Sequence, residues 1–204
     1  MEIKNKITNI TSKVISNFWG KLEHVNFDFI FKNGKSANLT HEVYGKADGI
    51  AILLYNPTSK KVILSKQFRM PVFVAGVDNG FSIEVVGGAM DEKESPETCV
   101  IRETEEEVGY KIATVRKVTT TFLSPGIVKE KVHLFIGEYK DEDKTENGGG
   151  LQEENEEIEV LETLFVDALK MIETQEIMDA RTIMLLQYLQ INKLINKTWQ
   201  VLKT

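Results

Sequence analysis

GAMDEKESPETCVIRETEEEVGY, residues Gly88 to Tyr110, decides the reading of this chain. It sets Gly88, Glu94, Arg102, Glu103, Glu106, Glu107 and Gly109 in the spacing G-x5-E-x7-R-E-x-x-E-E-x-G. Ser95 is a good N-cap, and Pro96 suits the first helical position, where its missing N–H is no loss. No Gly or Pro interrupts residues 97–108, and Gly109 fits the left-handed residue that closes a helix. On that helix Glu103 and Glu107 stack one turn apart, with Glu106 on the same side. Like charges so placed oppose one another, and Arg102 relieves them only in part, through Glu106 at i+4.

A run of charge is ordinarily a solvated helix face. Here a Gly on each side and one Arg at a fixed place argue for a divalent cation held by the carboxylates. Hard cations such as Mg²⁺ take oxygen ligands: one or two carboxylates, waters and substrate phosphates.

Working outward, Phe81–Val86 is expected as a strand running into this segment. Before it, Ala51–Tyr55 and Val62–Phe68 read as a strand pair around Asn56-Pro57-Thr58-Ser59. The first 46 residues read as extended. Aromatics alternate through Asn26–Phe31, Asn33-Gly34 signals a hairpin turn, and Ser36–Tyr44 is the returning strand. Beyond the segment, strands are expected at Val115–Phe122, Val132–Tyr139 and Ile158–Phe165. A short helix follows at Val166–Thr174, and a longer one from Asp179 to about Lys197, with Ile183, Leu186, Leu189 and Leu194 as its core stripe. The Asp141–Asn155 stretch is loop-like, and Gly148-Gly149-Gly150 reads as a hinge for a segment that closes over substrate. Mixed strands with flanking helices suit an α/β sandwich.

With 204 residues, 42% hydrophobic and 27% charged, the chain suits one full core of a soluble globular protein. A net charge of −6 argues against a nucleic-acid polymer as partner. The single cysteine rules out an internal disulfide framework and agrees with a reducing compartment. No apolar run of membrane-spanning length and no signal-peptide core is present, so a cytoplasmic location away from membranes is expected.

The segment resembles the signature of the Nudix hydrolases, G-x5-E-x7-R-E-U-x-E-E-x-G-U, where U is bulky and apolar. Every Gly and charged position is met; Thr104 stands at the first U and Tyr110 at the second. The resemblance implies a Nudix-type α/β/α sandwich with a mixed sheet and an N-terminal β extension. It also implies hydrolysis of a nucleoside diphosphate linked to another group, with Mg²⁺ as cofactor and Mn²⁺ able to substitute. The domains expected are 1–46, a dimer-forming β extension, and 47–204, the hydrolase.

A wider set recurs in order: Glu42-Val43-Tyr44, Ile52–Asn56, Gln67-Phe68-Arg69, Ser124-Pro125-Gly126, Gly148–Gly150 and Ile158–Glu162. This set is similar to the GDP-mannose pyrophosphatase subfamily, whose reaction yields GMP and mannose 1-phosphate. An ADP-ribose pyrophosphatase shares the fold, the metals and Ser124-Pro125-Gly126. A module that binds a nucleotide sugar without cleaving it would ordinarily have lost ligand carboxylates, and all remain here.

The resemblance implies Glu103 and Glu107 as direct metal ligands, with the Gly87 carbonyl and Glu156, and Glu106 as a further or water-mediated one. It implies Glu154 as the base that activates water. Glu94, Arg102 and Gly109 are its structural positions, with Glu94 and Arg102 holding the loop against the helix. Gly88 lets the backbone turn closely around metal and phosphates, and Ala89 follows it among the substrate contacts. Arg69 offers a guanidinium fork suited to a diphosphate. Trp19 matches an aromatic that contacts substrate from a partner subunit; a strand Trp is the simpler reading. Glu42, Glu84, Glu130 and Arg181 occupy further matching positions. Thr40 and His41 depart from a basic pair in the subfamily, which leaves the base and sugar preference open. The partners implied are a nucleotide sugar and a second copy of the chain.

Overall fold

A computed structural model describes residues 6–151, 153 and 156–195. They form two compact units, one of residues up to Asp48 together with Phe122–Lys131, the other of Gly49–Thr121 and Val132 onward.

The first unit is a strongly paired meander. Strand β1 (Ile7–Asn17) runs antiparallel to β2 (Lys21–Ile30), and β2 to β3 (Ser36–Gly45). The β2–β3 turn falls at Asn33-Gly34, where Gly34 takes φ 81° and Asn33 Oδ1 accepts from the Lys35 N–H. One sheet face carries a polar ladder: Asn26 and Asn38 exchange side-chain hydrogen bonds, and Asn38 also donates to Asp28. Register β2–β3 alternates this face with Val25, Phe27 and Phe29 opposite His41, Leu39 and Ala37. A two-residue strand absent from the sequence reading, β8 (Val128–Lys129), adds parallel to β3.

The second unit is built on a mixed sheet. Strand β4 (Gly49–Asn56) lies between β5 (Lys61–Phe68), antiparallel to it, and β9 (Val132–Glu138), parallel to it. Strand β7 (Arg116–Thr121) closes one side beyond β9, β10 (Ile158–Leu164) the other beyond β5, and β6 (Phe81–Glu84) pairs with the distal half of β5. A short helix α1 (Met70–Val74) intervenes after β5.

Continuous apolar runs in β4 and β5 are the mark of strands covered on both faces. Ala51, Leu53, Val62 and Leu64 face one way, packing with Phe165, Leu169, Leu185, Leu186 and Leu189 of helices α3 (Phe165–Glu173) and α4 (Ala180–Ile191). Ile50, Ile52, Leu54 and Ile63 face the other way, onto Cys99, Val100 and Val108 of helix α2 (Pro96–Val108). The result is the α/β/α layering expected from the sequence, with α2 alone on one side.

Two extents differ from the sequence reading. Helix α4 ends at Ile191, where Asn192 caps it and Lys193 turns to φ 53°. Leu194 therefore packs on the core from the turn after the helix. Strand β6 stops at Glu84 because the chain then leaves β5 and crosses to β4, where Val86 and Gly88 carbonyls accept from the Ile52 and Ile50 N–H groups at 2.9 Å each. No helix among the described residues is long and apolar enough to cross a membrane.

Candidate active site

That crossing positions the site. Since Val86 and Gly88 pair with β4, the intervening Gly87 turns both its N–H and its carbonyl away from β4, by strand alternation. The Gly87 N–H meets Glu107 Oε2 at 3.2 Å, so its carbonyl faces the same side. A Cβ on Gly88 would run into the Glu103 carboxylate, so only glycine lets the loop lie so near the helix.

Helix α2 carries its acids on a well-capped frame. Ser95 Oγ accepts from the Thr98 N–H at 3.1 Å, Pro96 opens the helix, and Gly109 closes it at φ 74°. Thr104, at the apolar position of the motif, is fully buried and its hydroxyl donates to the Val100 carbonyl at 2.6 Å. Tyr110 is buried and packs edge-on against Tyr139, ring centres 5.0 Å apart.

Arg102 ties the loop to the helix. It donates from Nε and Nη2 to the two oxygens of Glu94, 3.2 Å each, while Nη1 reaches Glu106 at 2.8 Å and Glu103 at 3.0 Å. Glu94 in turn accepts from the Asp91 N–H. Glu107 is 1% exposed and has no ion pair among the described residues; the Gly87 N–H is its hydrogen-bond donor. Burial, then the neighbouring Glu103 charge, pushes its carboxyl up to about 8. Burial also pushes Glu103 up to about 7, against the pull of Arg102. The Glu156 charge raises both.

A divalent cation fits these residues. Glu107, buried without an ion pair among the described residues, and Glu103 near it, around a cradle that a Cβ would fill, form an all-oxygen donor set of the kind hard cations take. Among the described residues no three acidic, His or Cys side chains already converge on one point. Arg102 holds Glu103 and Glu106, and the Leu151 N–H holds Glu156 Oε2 at 3.2 Å.

The triple glycine is not a hinge. Gly148, Gly149 and Gly150 take φ 69°, 122° and 78° and dock on the end of α2, where the Gly149 and Gly150 N–H groups donate to the Glu107 and Glu106 carbonyls. A Cβ on Gly148 would sit 2.5 Å from the Glu107 carbonyl oxygen. The glycines thus satisfy carbonyls that every helix end leaves open, a use that composition alone does not reveal. Glu154 lies outside the described residues.

The remaining sequence-derived positions divide between the units. Arg69, Gly88, Ala89 and Arg181 belong with the acids in the second unit; Trp19, Thr40, His41, Glu42 and Glu130 belong to the first. Arg69 is bidentate on Glu84 at 3.1 and 2.8 Å, and Arg181 reaches the same Glu84 at 2.6 Å. This pairing joins residues 15 and 97 apart and left no local signal in the sequence. Ala89 bridges to Gly49, and its carbonyl accepts from the Cys99 thiol. Trp19 is not a strand residue: it is exposed in the β1–β2 turn, with Lys46 Nζ 4.1 Å above its ring. His41 lies edge-on to Phe27, Thr40 accepts from Asn26, and Glu42 faces His24. His41 and Glu42 also line a pocket of about 380 Å³ with Pro125, Gly126 and Lys129. Glu130 is half-buried after β8.

Comparison with known proteins finds relatives over nearly the whole chain. Residues 45–186 match the NUDIX domain model, and residues 6–44 match a model described as the GDP-mannose pyrophosphatase NudK N-terminal domain. The chain is 41% identical over 193 residues to the GDP-mannose pyrophosphatase of Salmonella arizonae, covering 95% of this chain and 100% of that protein. It is 42% identical over 191 residues to the enzyme of that name from Escherichia coli O157:H7, covering 94% of this chain and 98% of the relative. With a signature helix built as described and a domain match over most of its length, this chain belongs to the Nudix hydrolase family.

Proposed function

We infer that the protein hydrolyses the diphosphate bond of GDP-mannose to GMP and mannose 1-phosphate, with Mg²⁺ as its cofactor and Mn²⁺ able to substitute. The observation that carries the chemistry is the buried Glu107 with Glu103 one turn away, beside Gly87 and Gly88. The nucleotide sugar is supported by near full-length likeness to enzymes named for that substrate, extending into the N-terminal strands.

Glu103, Glu107, Glu156 and the Gly87 carbonyl are the groups that would hold the cation, with Glu106 next to them. When bound, the cation supplies charge that offsets the diphosphate and draws electron density from the scissile bond. The chain's own residues do the rest. Gly88 and Ala89 keep the backbone low, so that a phosphate can approach the helix. Arg69 and Arg181 place guanidinium groups on the same unit as the acids. Glu154 takes the proton of the attacking water.

Incubation with GDP-mannose and Mg²⁺ is expected to yield GMP and mannose 1-phosphate. Rapid cleavage of ADP-ribose beside inert GDP-mannose would move the substrate to the related diphosphate, and tight binding without cleavage under any divalent metal would make this a sensor. Glu154→Gln is expected to lower kcat by roughly 10²-fold with little change in KM, in the range of lost general-base catalysis. An unchanged kcat would assign the base elsewhere.

The working form we propose is a cytoplasmic homodimer assembled through the N-terminal strands. Strand β1 is exposed along its whole length, with Ile7, Ile10, Val14 and Ile15 among its open side chains, and an exposed edge strand of that length is ordinarily covered. Sedimentation at micromolar concentration is expected to give the mass of two chains; a monomer would retire the dimer.

A further inference from the structure

Glu84 is 4% exposed at the end of β6, three residues before Gly87. A buried carboxylate is costly unless its oxygens are well occupied. Both are: Oε1 accepts from Arg69 Nε at 3.1 Å, and Oε2 from Arg69 Nη2 at 2.8 Å and Arg181 Nη2 at 2.6 Å. Arg181 is braced from behind, its Nε donating to Asp179 at 3.0 Å. Asp179 caps α4 through the Thr182 N–H, and Thr182 Oγ accepts from the Val85 N–H at 2.8 Å. Helix α4 and the strand that leads into Gly87 are thus locked to one another around Glu84.

The geometry of Arg69 gives this lock a purpose. Its Nε–Nη2 edge is spent on Glu84, which turns the opposite edge, carrying Nη1, away from the protein. The side chain is 38% exposed, and among the described residues its hydrogen bonds leave from Nε and Nη2 only. Arg69 and Arg181 meet on Glu84, three residues before Gly87. Arg181 lies against the loop itself: a Cβ on Gly87 would come within 3.3 Å of its Nη1. A guanidinium held by one edge offers the other to an anion with little rotamer freedom left to lose.

We propose that Glu84 is a positioning residue for substrate: it fixes the free edge of Arg69, with Arg181 beside it, to receive the diphosphate. This rests on the reading of the protein as a nucleotide-sugar diphosphatase and adds a residue that touches neither metal nor substrate.

The test is a double-mutant cycle on Glu84→Gln and Arg69→Ala, read as KM and kcat on whichever diphosphate the wild type hydrolyses. Glu84→Gln keeps the shape but aims an amide at a guanidinium. It is expected to raise KM about tenfold while kcat changes far less. Arg69→Ala is expected to raise KM by a similar or larger factor, and the double variant to be no worse than Arg69→Ala alone, because Glu84 acts through Arg69. Two effects that multiply in the double variant, or a Glu84→Gln enzyme with wild-type KM, would overturn the proposal. So would a loss confined to kcat in step with a lower fraction of folded enzyme, the pattern of a purely structural residue. Should Glu84→Gln fail to fold, Glu84→Asp, too short to hold both Arg69 nitrogens, takes its place in the cycle. Inert GDP-mannose beside active ADP-ribose would refute the substrate reading alone, since the cycle then runs on ADP-ribose.

Discussion

Glu107→Gln is expected to abolish hydrolysis, by roughly 10³-fold or more in kcat, and at the same time to make the cation-free protein more stable in alkali. The first effect follows from removing a charged ligand where the diphosphate must be neutralised. The second follows from burial. In the fold the Glu107 carboxyl holds its proton up to about 8, against an ordinary value of 4.5. Between those values the folded chain keeps a proton that the unfolded chain has lost. Stability therefore falls as pH rises through this window, and the full penalty is present above it. Glu103, raised to about 7, adds to the same slope. A glutamine at 107 can still accept from the Gly87 N–H and never ionises, so the variant escapes its share of the penalty. The gain is about 2–4 kcal/mol at pH 9 and near zero at pH 4.5. Urea unfolding in EDTA at the two pH values measures it. A variant that is active, or one less stable at pH 9 than wild type, would refute the role given to this residue.

Arg102→Met is expected to cause a large loss of stability. The stem is retained, but Glu94, Glu103 and Glu106 lose the one guanidinium they share. Breaking a half-buried ionic network from the cationic side leaves like charges facing one another, at a cost of about 2–3 kcal/mol for groups that keep some solvent. For a chain of this size that lowers the midpoint of thermal melting by roughly 5–10 °C. Mg²⁺ is expected to restore part of the loss, because a divalent cation replaces a positive charge beside the same acids. An unchanged midpoint would mean that the loop from Gly88 to Glu94 is held by something other than Arg102.

The features that the sequence disclosed are those with local causes. The caps of α2, at Ser95, Pro96 and Gly109, come from backbone requirements within a few residues and stand where they were expected. The same is true of the Asn33-Gly34 turn, and of the doubly buried strands β4 and β5, whose runs of Ile, Leu and Val leave no polar face. The early end of β6 could not be read, because Val85 and Val86 suit a strand equally well on β5 or β4, and only the pairing partner changes. Helix α1 and strand β8 are too short for any periodicity. The site was legible as an acid pattern and illegible as a network. Glu103 and Glu107 announce themselves by spacing, whereas the grip of Glu84 on Arg69 and Arg181 exists only after the sheet and α4 come together. The glycine triplet misled for a related reason: glycine permits both freedom and close contact, and the carbonyls that select contact lie some 40 residues upstream.

That contact is made chiefly by main chain. Gly149 and Gly150 bond to Glu107 and Glu106, Thr145 and Glu146 to Gly109, and Lys111 to Asp143, through N–H and carbonyl groups, with the Thr145 hydroxyl adding a bond to the Gly109 carbonyl. An evolving lineage is consequently free to rewrite the outward side chains of residues 141–147 while the zipper stays closed. Adding or deleting one residue there would put every later donor out of step. Descendants of this protein are expected to vary in spelling across that stretch and to agree in its length.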